Sequence, residues 1–480
     1  MARRLVVGVD SSTQSTKVEA RDLDTGAVVA RGSSKHPPTS PPVSEQDPAT
    51  WWAALVDAVG LLADHRHDVV ALSVAGQQHG LVLVDDRGVP VRPAKLWNDT
   101  VSSPQAERLV RELGAEVWAS RTGSVPVAAF TITKLAWVAD HEPEALDRSA
   151  SVMLPHDYLT WRLTGEHVTD RGDASGSGWY DPSTDRVLPD LLAAATGRSG
   201  WEHRVPRVLG PTVAAGPITA DAATALGLSH DVVVGPGSGD NMGAALGLGL
   251  QAGDVAISLG TSGTVFAVSD TATHDPSGAV AGFASATGNY LPLVCTLNAT
   301  KVTDTVARWL GTDPAGLADL ALTAADDPGA AVLVPYFDGE RTPNLPHATG
   351  TFYGLTNATS RAQLALAAHD GVLCGLLDGV DALRSVGATI DGRVFLVGGG
   401  SRSSAYRQRA ADLLGRPVTV PETDETVAAG AATQAAVVVT GDSFDAVIAR
   451  WGLGAGTTVV PRHAADHVRA AYRAITEQAV

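Results

Sequence analysis

The sequence predicts an α/β protein of two or three domains. A chain of 480 residues is too long for one ordinary core. Short apolar, strand-like runs repeatedly end in glycine- or hydroxyl-rich turns and are followed by helical periodicity. Two such units, LVVGVDSSTQST at residues 5–16 and VAISLGTSGT at 255–264, come from opposite halves of the chain. Their placement suggests duplicated α/β domains facing one cleft, where a ligand would bind.

Composition narrows the function. Hydrophobic content of 44% with 18% charged residues fits a globular chain rather than a disordered one. A net charge of -17 argues against general affinity for nucleic acid or anionic membrane, which need a basic surface. An anionic ligand would therefore need local help from a metal, Lys, Arg or backbone donors. Cys295 and Cys374 lie far apart with no CxxC spacing, so neither a zinc site nor a disulfide framework is expected, and a reducing cytoplasm fits best. The apolar run after Arg3-Arg4 is too short for a signal peptide, and no stretch is long enough to span a bilayer.

In chain order, Leu5–Val9 reads as a strand ending at Asp10 and a Ser/Thr-rich turn, with a hairpin after it around Asp24-Thr25-Gly26. A carboxylate there could hold Mg²⁺ through water while hydroxyls and Lys17 meet phosphate; a turn satisfying its own backbone is the plainer alternative. Lys35–Pro48 is a Pro/Ser-rich loop, and the spacing of Trp51, Leu55, Val59 and Leu62 predicts a helix. Val69–Val74 is a strand ending in AGQQHG, whose Gln78 and His79 could hydrogen-bond a polyhydroxylated substrate. LWND (96–99) adds an aromatic beside an amide and an acid, a mixture suited to sugars. Pro104–Trp118 reads as one amphipathic helix, Thr164–Tyr180 as a polar loop and Trp201–Thr219 as a linker.

The richest stretch is 232–265. Glycines at 235, 237 and 239 lead to one acid, Asp240, and a strand at Val255–Leu259 ends in GTSGT, a turn able to aim N–H groups and hydroxyls at an anion. Further on, Gln363–Ser385 is a long apolar helix, Val394–Val397 a strand entering Gly398-Gly399-Gly400-Ser401, and Glu425–Val439 an Ala-rich helix. No lysine follows a glycine, so a P-loop is excluded; Rossmann and protein-kinase signatures are missing too.

Taken together, these segments resemble the FGGY carbohydrate kinases of the actin and Hsp70-like ATPase superfamily over nearly the whole chain and in the family's order. DSSTQSTK is similar to the first phosphate loop, SGDNMGAALG to the catalytic segment, LGTSGTV to the second phosphate loop, GGGSRSSAYRQ to the adenosine segment and DETVAAGAATQAA to a connecting helix. AGQQHG and LWND look like the matching segments of xylulose-phosphorylating members. Gln78 stands where those usually have Met and Val101 where many carry Arg, and Ala129 and His369 depart from the two family signatures.

The resemblance implies two ribonuclease H-like (actin/Hsp70-type ATPase) domains with an interdomain cleft, 1–245 for sugar, first phosphate loop and catalysis, and 246–480 for second phosphate loop and adenosine. It implies ATP-dependent phosphorylation of D-xylulose with Asp240 as general base and Asp10 positioning Mg²⁺. Gln78, His79, Asn98, Asn241 and Asp99 would meet the sugar; Thr13, Lys17, Gly260, Thr261, Gly399, Gly400 and Ser403 would meet ATP. The implied partners are a ketopentose and ATP, with no nucleic acid or membrane and a homodimer as candidate assembly. Another FGGY substrate (ribulose, a deoxy ketose or a polyol), an actin-like ATP-gated interaction protein and a sugar-sensing regulator are the alternatives. Asp240-Asn241 and QHG favour the enzyme over the interaction protein.

Overall fold

A computed structural model describes residues 3–325, 329–423 and 425–479. They form two compact units: Met1–Leu250 with Asp270–Leu291 and Glu425–Gly454, and Gln251–Ser269 with Pro292–Asp424 and Ala455–Val480.

In the first unit, Leu5–Ser11 is buried at every residue. Its Leu/Val run suits a strand covered on both faces. It pairs antiparallel with Ser15–Asp22, which pairs antiparallel with Val28–Lys35. The Asp22 carboxylate accepts from the N–H and hydroxyl of Thr25 and so closes the hairpin the sequence predicts. On the other side of the first strand, Val69–Gly76 runs parallel, followed by Val233–Val234 in parallel and Gly216–Pro217 antiparallel at the edge.

The second unit repeats this plan. Val255–Leu259 pairs antiparallel with Gly263–Ala267, and that strand pairs antiparallel with the Leu293–Thr296 end of Tyr290–Thr296. Val394–Val397 lies parallel to Val255–Leu259, Val418–Pro421 follows in parallel, and Gly456–Val459 closes the edge antiparallel. Three antiparallel strands and then two parallel ones thus recur in one order, as the paired strand-turn motifs suggest.

The structure corrects three sequence expectations. The predicted Pro104–Trp118 helix is two helices, Ser103–Leu113 and Ala115–Thr122, because Gly114 takes φ +86 and its N–H ends the first by donating to Val110 O. Thr164–Tyr180 is not a plain loop: Val168–Asp170 is a strand, and Asp170 caps a short helix, Arg171–Ser175, by accepting from Gly172 N and Asp173 N. Within the predicted linker, Arg207–Leu209 pairs with Val168–Asp170, and Gly216–Pro217 joins the main sheet. Strands of two or three residues carry no usable periodicity.

Glycines set the closest packing in the first unit. The helix Asp240–Gly247 lies against Thr426–Thr440, and a Cβ at Gly247 would fall 1.9 Å from Thr426 O. At Gly430 it would fall 1.9 Å from Gly243 O, and at Gly8 1.8 Å from Ala428 O. Backbone cannot step aside as a flexible side chain can. Gly247→Ala and Gly430→Ala are each expected to destabilise by about 1–3 kcal/mol or more, the usual cost of overpacking. Gly60→Ala, at a helix end with nothing within 4 Å, should be neutral or slightly stabilising. Urea unfolding midpoints of the three variants check this.

Candidate active site

Two parallel strands organise the candidate site of the first unit. Asp10 faces Ala75 and Ser11 faces Gly76 across the Leu5–Ser11 and Val69–Gly76 pair, so the turns beyond them leave side by side. The N–H of Gln77 donates to Ser11 O at 2.9 Å, and the Thr13 hydroxyl donates to Gln77 Oε1 at 2.9 Å while accepting from Trp97 Nε1 at 2.9 Å. Ser238–Gly239 pairs with Ala75–Gly76, which brings Asp240, the first residue of its helix, to the same end of the sheet.

Asp240 is clamped on one side only. Its Oδ1 accepts from Asn241 N at 2.8 Å and Asn241 Nδ2 at 3.0 Å, and Nδ2 also donates to Gln78 Oε1 at 2.7 Å. Oδ2 has no hydrogen-bond partner among the described residues. Asn98 Oδ1 is buried and likewise unpartnered, and Gln78 Nε2, buried without a well-formed hydrogen bond, lies towards the Asp173 carboxylate. His79 sits at φ +64, donates from Nδ1 to Gly176 O at 3.0 Å and stacks on Phe130 with ring centroids 5.0 Å apart. A non-glycine residue held at positive φ is an uncommon conformation that marks a constrained position. Unsatisfied polar atoms beside such a residue are what a polyol would satisfy.

Burial and mutual repulsion raise the acids. The Asp10 carboxyl, 7% exposed, is pushed up to about 7 by burial and then by the Asp240 charge, with Lys17 opposing, and its Oδ1 has no hydrogen-bond partner. Asp240 keeps part of its surface open, yet burial around its carboxyl and then the charge of Asp173 push it to about 7 as well. Asp173 in turn is fully buried and paired with His156, Nδ1 to Oδ2 at 2.8 Å. Lys17 does not stand free: its ammonium meets both oxygens of Glu425, at 2.9 and 2.8 Å. Asp99 is fully buried and already accepts from Ser44 N, Lys95 Nζ and Val101 N, so it braces its own segment.

The remaining residues gather in the second unit. Gly260 and Thr261, after the Val255–Leu259 strand, and Gly399, Gly400 and Ser403, after Val394–Val397, line one cavity of about 690 Å³. Ser403 caps the helix Ser404–Leu414 by accepting from Tyr406 N. Pro314, Ala315, Ala318 and Tyr406 give the cavity an apolar wall against which a flat ring could lie.

Comparison with known proteins fits this arrangement. Residues 5–247 match the N-terminal domain, and 255–439 the C-terminal domain, of the FGGY family of carbohydrate kinases. The chain belongs to the FGGY family of carbohydrate kinases. It is 49% identical over 454 residues to the xylulose kinase of Streptomyces coelicolor, covering 94% of this chain and 92% of that one. Identity to the xylulose kinase of Escherichia coli is 37% over 422 residues, 86% of this chain and 85% of that one. The crystal structure of xylulose kinase from Bifidobacterium adolescentis is similar with a TM-score of 0.87 at 41% identity, covering 99% of this chain and all of that one. The recurring sheet order is thus that of an FGGY kinase, with the ribonuclease H-like, actin/Hsp70-type plan that the motifs imply.

His156 of this FGGY chain, unmarked in the sequence, packs under Gly76 and Gly237 and touches three acids, with Nε2 3.1 Å from Asp157 Oδ1 and 3.6 Å from Asp170 Oδ1. Thr300 in the cavity wall carries no such mark either, whereas Tyr406 falls within the adenosine segment and His369 stands out in the sequence only as a departure from a family signature. A histidine inside PHDYLTW carries no local mark of function; only the fold brings it to Asp173.

The raised acid predicts a stability signature. Between about pH 4 and 7 the folded chain keeps a proton on Asp240 that the unfolded chain has lost. The cost of the charge therefore grows as pH rises through that window and is complete above it. Asp240→Asn is expected to raise the melting temperature of the ligand-free protein at pH 8, with the gain shrinking towards pH 4. Thermal unfolding of both proteins across that range checks the sign.

Proposed function

We propose that the protein phosphorylates D-xylulose at its terminal hydroxyl with ATP, giving D-xylulose 5-phosphate and ADP. The observation that carries this reading is the half-clamped carboxylate of Asp240. Oδ1 is immobilised by Asn241, Oδ2 is left to take a proton, and a carboxyl poised near pH 7 suits a general base. As the hydroxyl oxygen bonds to the γ-phosphorus, its proton passes to Oδ2 and the bond to the β–γ bridging oxygen breaks. Gln78, His79, Asn98 and Asn241 would hold the sugar hydroxyls. Asp99 would act by supporting that segment. The choice of xylulose rests on the similarity to xylulose kinases.

Thr13 and Lys17 would meet phosphate from the first 245 residues, and Gly260, Thr261, Gly399, Gly400 and Ser403 would hold the nucleotide in residues 246–480. Both Thr13 and Lys17 are engaged within the protein, so phosphate would compete with Gln77 for the Thr13 proton and with Glu425 for the Lys17 ammonium. Among the described residues no cluster of three or more His, Cys, Asp or Glu could hold a metal. Mg²⁺ on a nucleotide does not need one, because it binds through one or two carboxylates, phosphate oxygens and water. The unpartnered Oδ1 of Asp10 fits that role. Bound there, Mg²⁺ would neutralise charge on the transferring phosphate. ATP as donor is in keeping with a cytoplasmic setting.

Phosphorylation assays over ketoses, aldoses and polyols test the reading. D-Xylulose is expected to give the highest kcat/KM, and Asp240→Asn to lower kcat on the order of 10²- to 10⁴-fold. Absence of ATP consumption with every sugar, by folded protein, would overturn it; a preferred polyol would move the substrate and leave the base.

A further inference from the structure

One group in the nucleotide cavity has no part in the chemistry above. His369, on the helix Arg361–Ser385, lines the cavity although its residue is only 2% exposed. Its Nδ1 lies 2.9 Å from Ala365 O. A carbonyl can only accept, so Nδ1 carries the ring hydrogen. Burial, with the nearby Arg409 guanidinium adding to it, pushes the imidazole down to about 4 against the opposing Ala365 bond, so the ring is neutral at physiological pH. Nε2 is then a lone-pair acceptor, and it has no hydrogen-bond partner among the described residues.

The ring is also held in place. It meets Tyr406 edge-on with centroids 4.6 Å apart at 62°, and the Tyr406 hydroxyl is tied to Thr303 Oγ1 at 3.1 Å. Next to it, Asp370 takes a two-pronged contact from Arg409 at 2.7 and 2.9 Å, which pins the same turn of helix to Ser404–Leu414. A fixed acceptor in a largely apolar pocket distinguishes a donor from an acceptor on whatever ring enters, since an unmatched buried acceptor is costly.

We propose that His369 is a base-specifying residue, accepting through Nε2 from the 6-amino group of adenine and disfavouring purines with oxygen or hydrogen at that position. This rests on the nucleotide-binding part of the kinase reading. It adds a specificity group to a cavity whose glycines and Ser403 have no preference among bases.

The test compares ATP with purine riboside 5′-triphosphate, which lacks only the 6-amino group, in D-xylulose phosphorylation. Wild-type protein should favour ATP by about 10- to 100-fold in kcat/KM, the worth of one buried hydrogen bond left unmade. In His369→Phe, which keeps a ring beside Tyr406 but no acceptor, the preference should fall to within about 3-fold. His369→Gln, whose amide oxygen can accept, should restore part of it. Equal use of the two nucleotides by wild-type protein, or an unchanged ratio in a folded Phe or Gln-free variant such as His369→Leu, would overturn the assignment. The same ratio read by calorimetry with ADP and purine riboside 5′-diphosphate stands apart from turnover. A binding preference that His369 controls in a protein that phosphorylates no sugar would defeat the kinase reading and keep this one.

Discussion

The close approach of two backbones is the constraint on which the Asp240 end of the first unit depends. Asp240 opens a helix whose Gly243 and Gly247 lie against Gly430 and Thr426 of the Ala-rich helix, and that second helix also presses Ala428 onto Gly8. Gly8 is two residues from Asp10 on the buried first strand. One run of glycine contacts therefore fixes the depth of both acids. A change of a methyl group in that contact is felt at both, because packed interiors transmit displacement rather than absorb it. The segment that does this comes from residues 425–454, far along the chain from the sheet it covers. The same excursion carries Glu425 to Lys17, 408 residues away in sequence.

The placement of acids follows from this depth. Asp10, Asp240 and Asp173 are three carboxyls drawn into one region, with Lys17 already shared with Glu425 and His156 set between Asp173, Asp157 and Asp170. Burial opposes ionisation of each, and each that ionises opposes the next. Stability alone would not favour such a grouping, and displaced titration of this kind gathers at functional sites. A sugar hydroxyl needs a base that is ionised at neutral pH but only just, so that it accepts a proton readily in the transition state and releases it afterwards.

Much of this was legible in the sequence because it lies in uninterrupted local patterns. Val255–Leu259 and Val394–Val397 are strands with the bounds their composition predicts, and both end in glycine turns whose residues meet in one cavity. The hairpin around Asp24-Thr25-Gly26 needed only its turn residues. Residues that act through distant partners were not legible. His156 acquires meaning only beside Asp173, and His369, visible in the sequence as a departure from a family signature, gains a surrounding only with Tyr406 and the cavity in place. The commitment of Asp99 to Ser44 and Lys95 was hidden for the same reason, since WND by itself shows an acid beside an amide and not what the acid already holds.

The recurrence of the sheet explains why two unlike sites have one address. In open α/β sheets, ligands sit beyond the carboxyl ends of neighbouring parallel strands, where the turns diverge. In the first unit those strands are Leu5–Ser11 and Val69–Gly76, and the turns supply Thr13, Gln78 and His79. In the second they are Val255–Leu259 and Val394–Val397, and the turns supply Gly260, Thr261, Gly399 and Gly400. The backbone plan is shared, so the difference in chemistry lies in side chains alone. Amides and an imidazole at the first address suit a polyhydroxylated ligand, whose many donors and acceptors need directional partners. Glycines at the second keep side chains out of the way of a cavity with an apolar wall, which suits close approach of phosphate and a flat base. On the proposed reading, a duplicated scaffold would assign sugar to one copy and nucleotide to the other through a few turn residues, with no change in strand order.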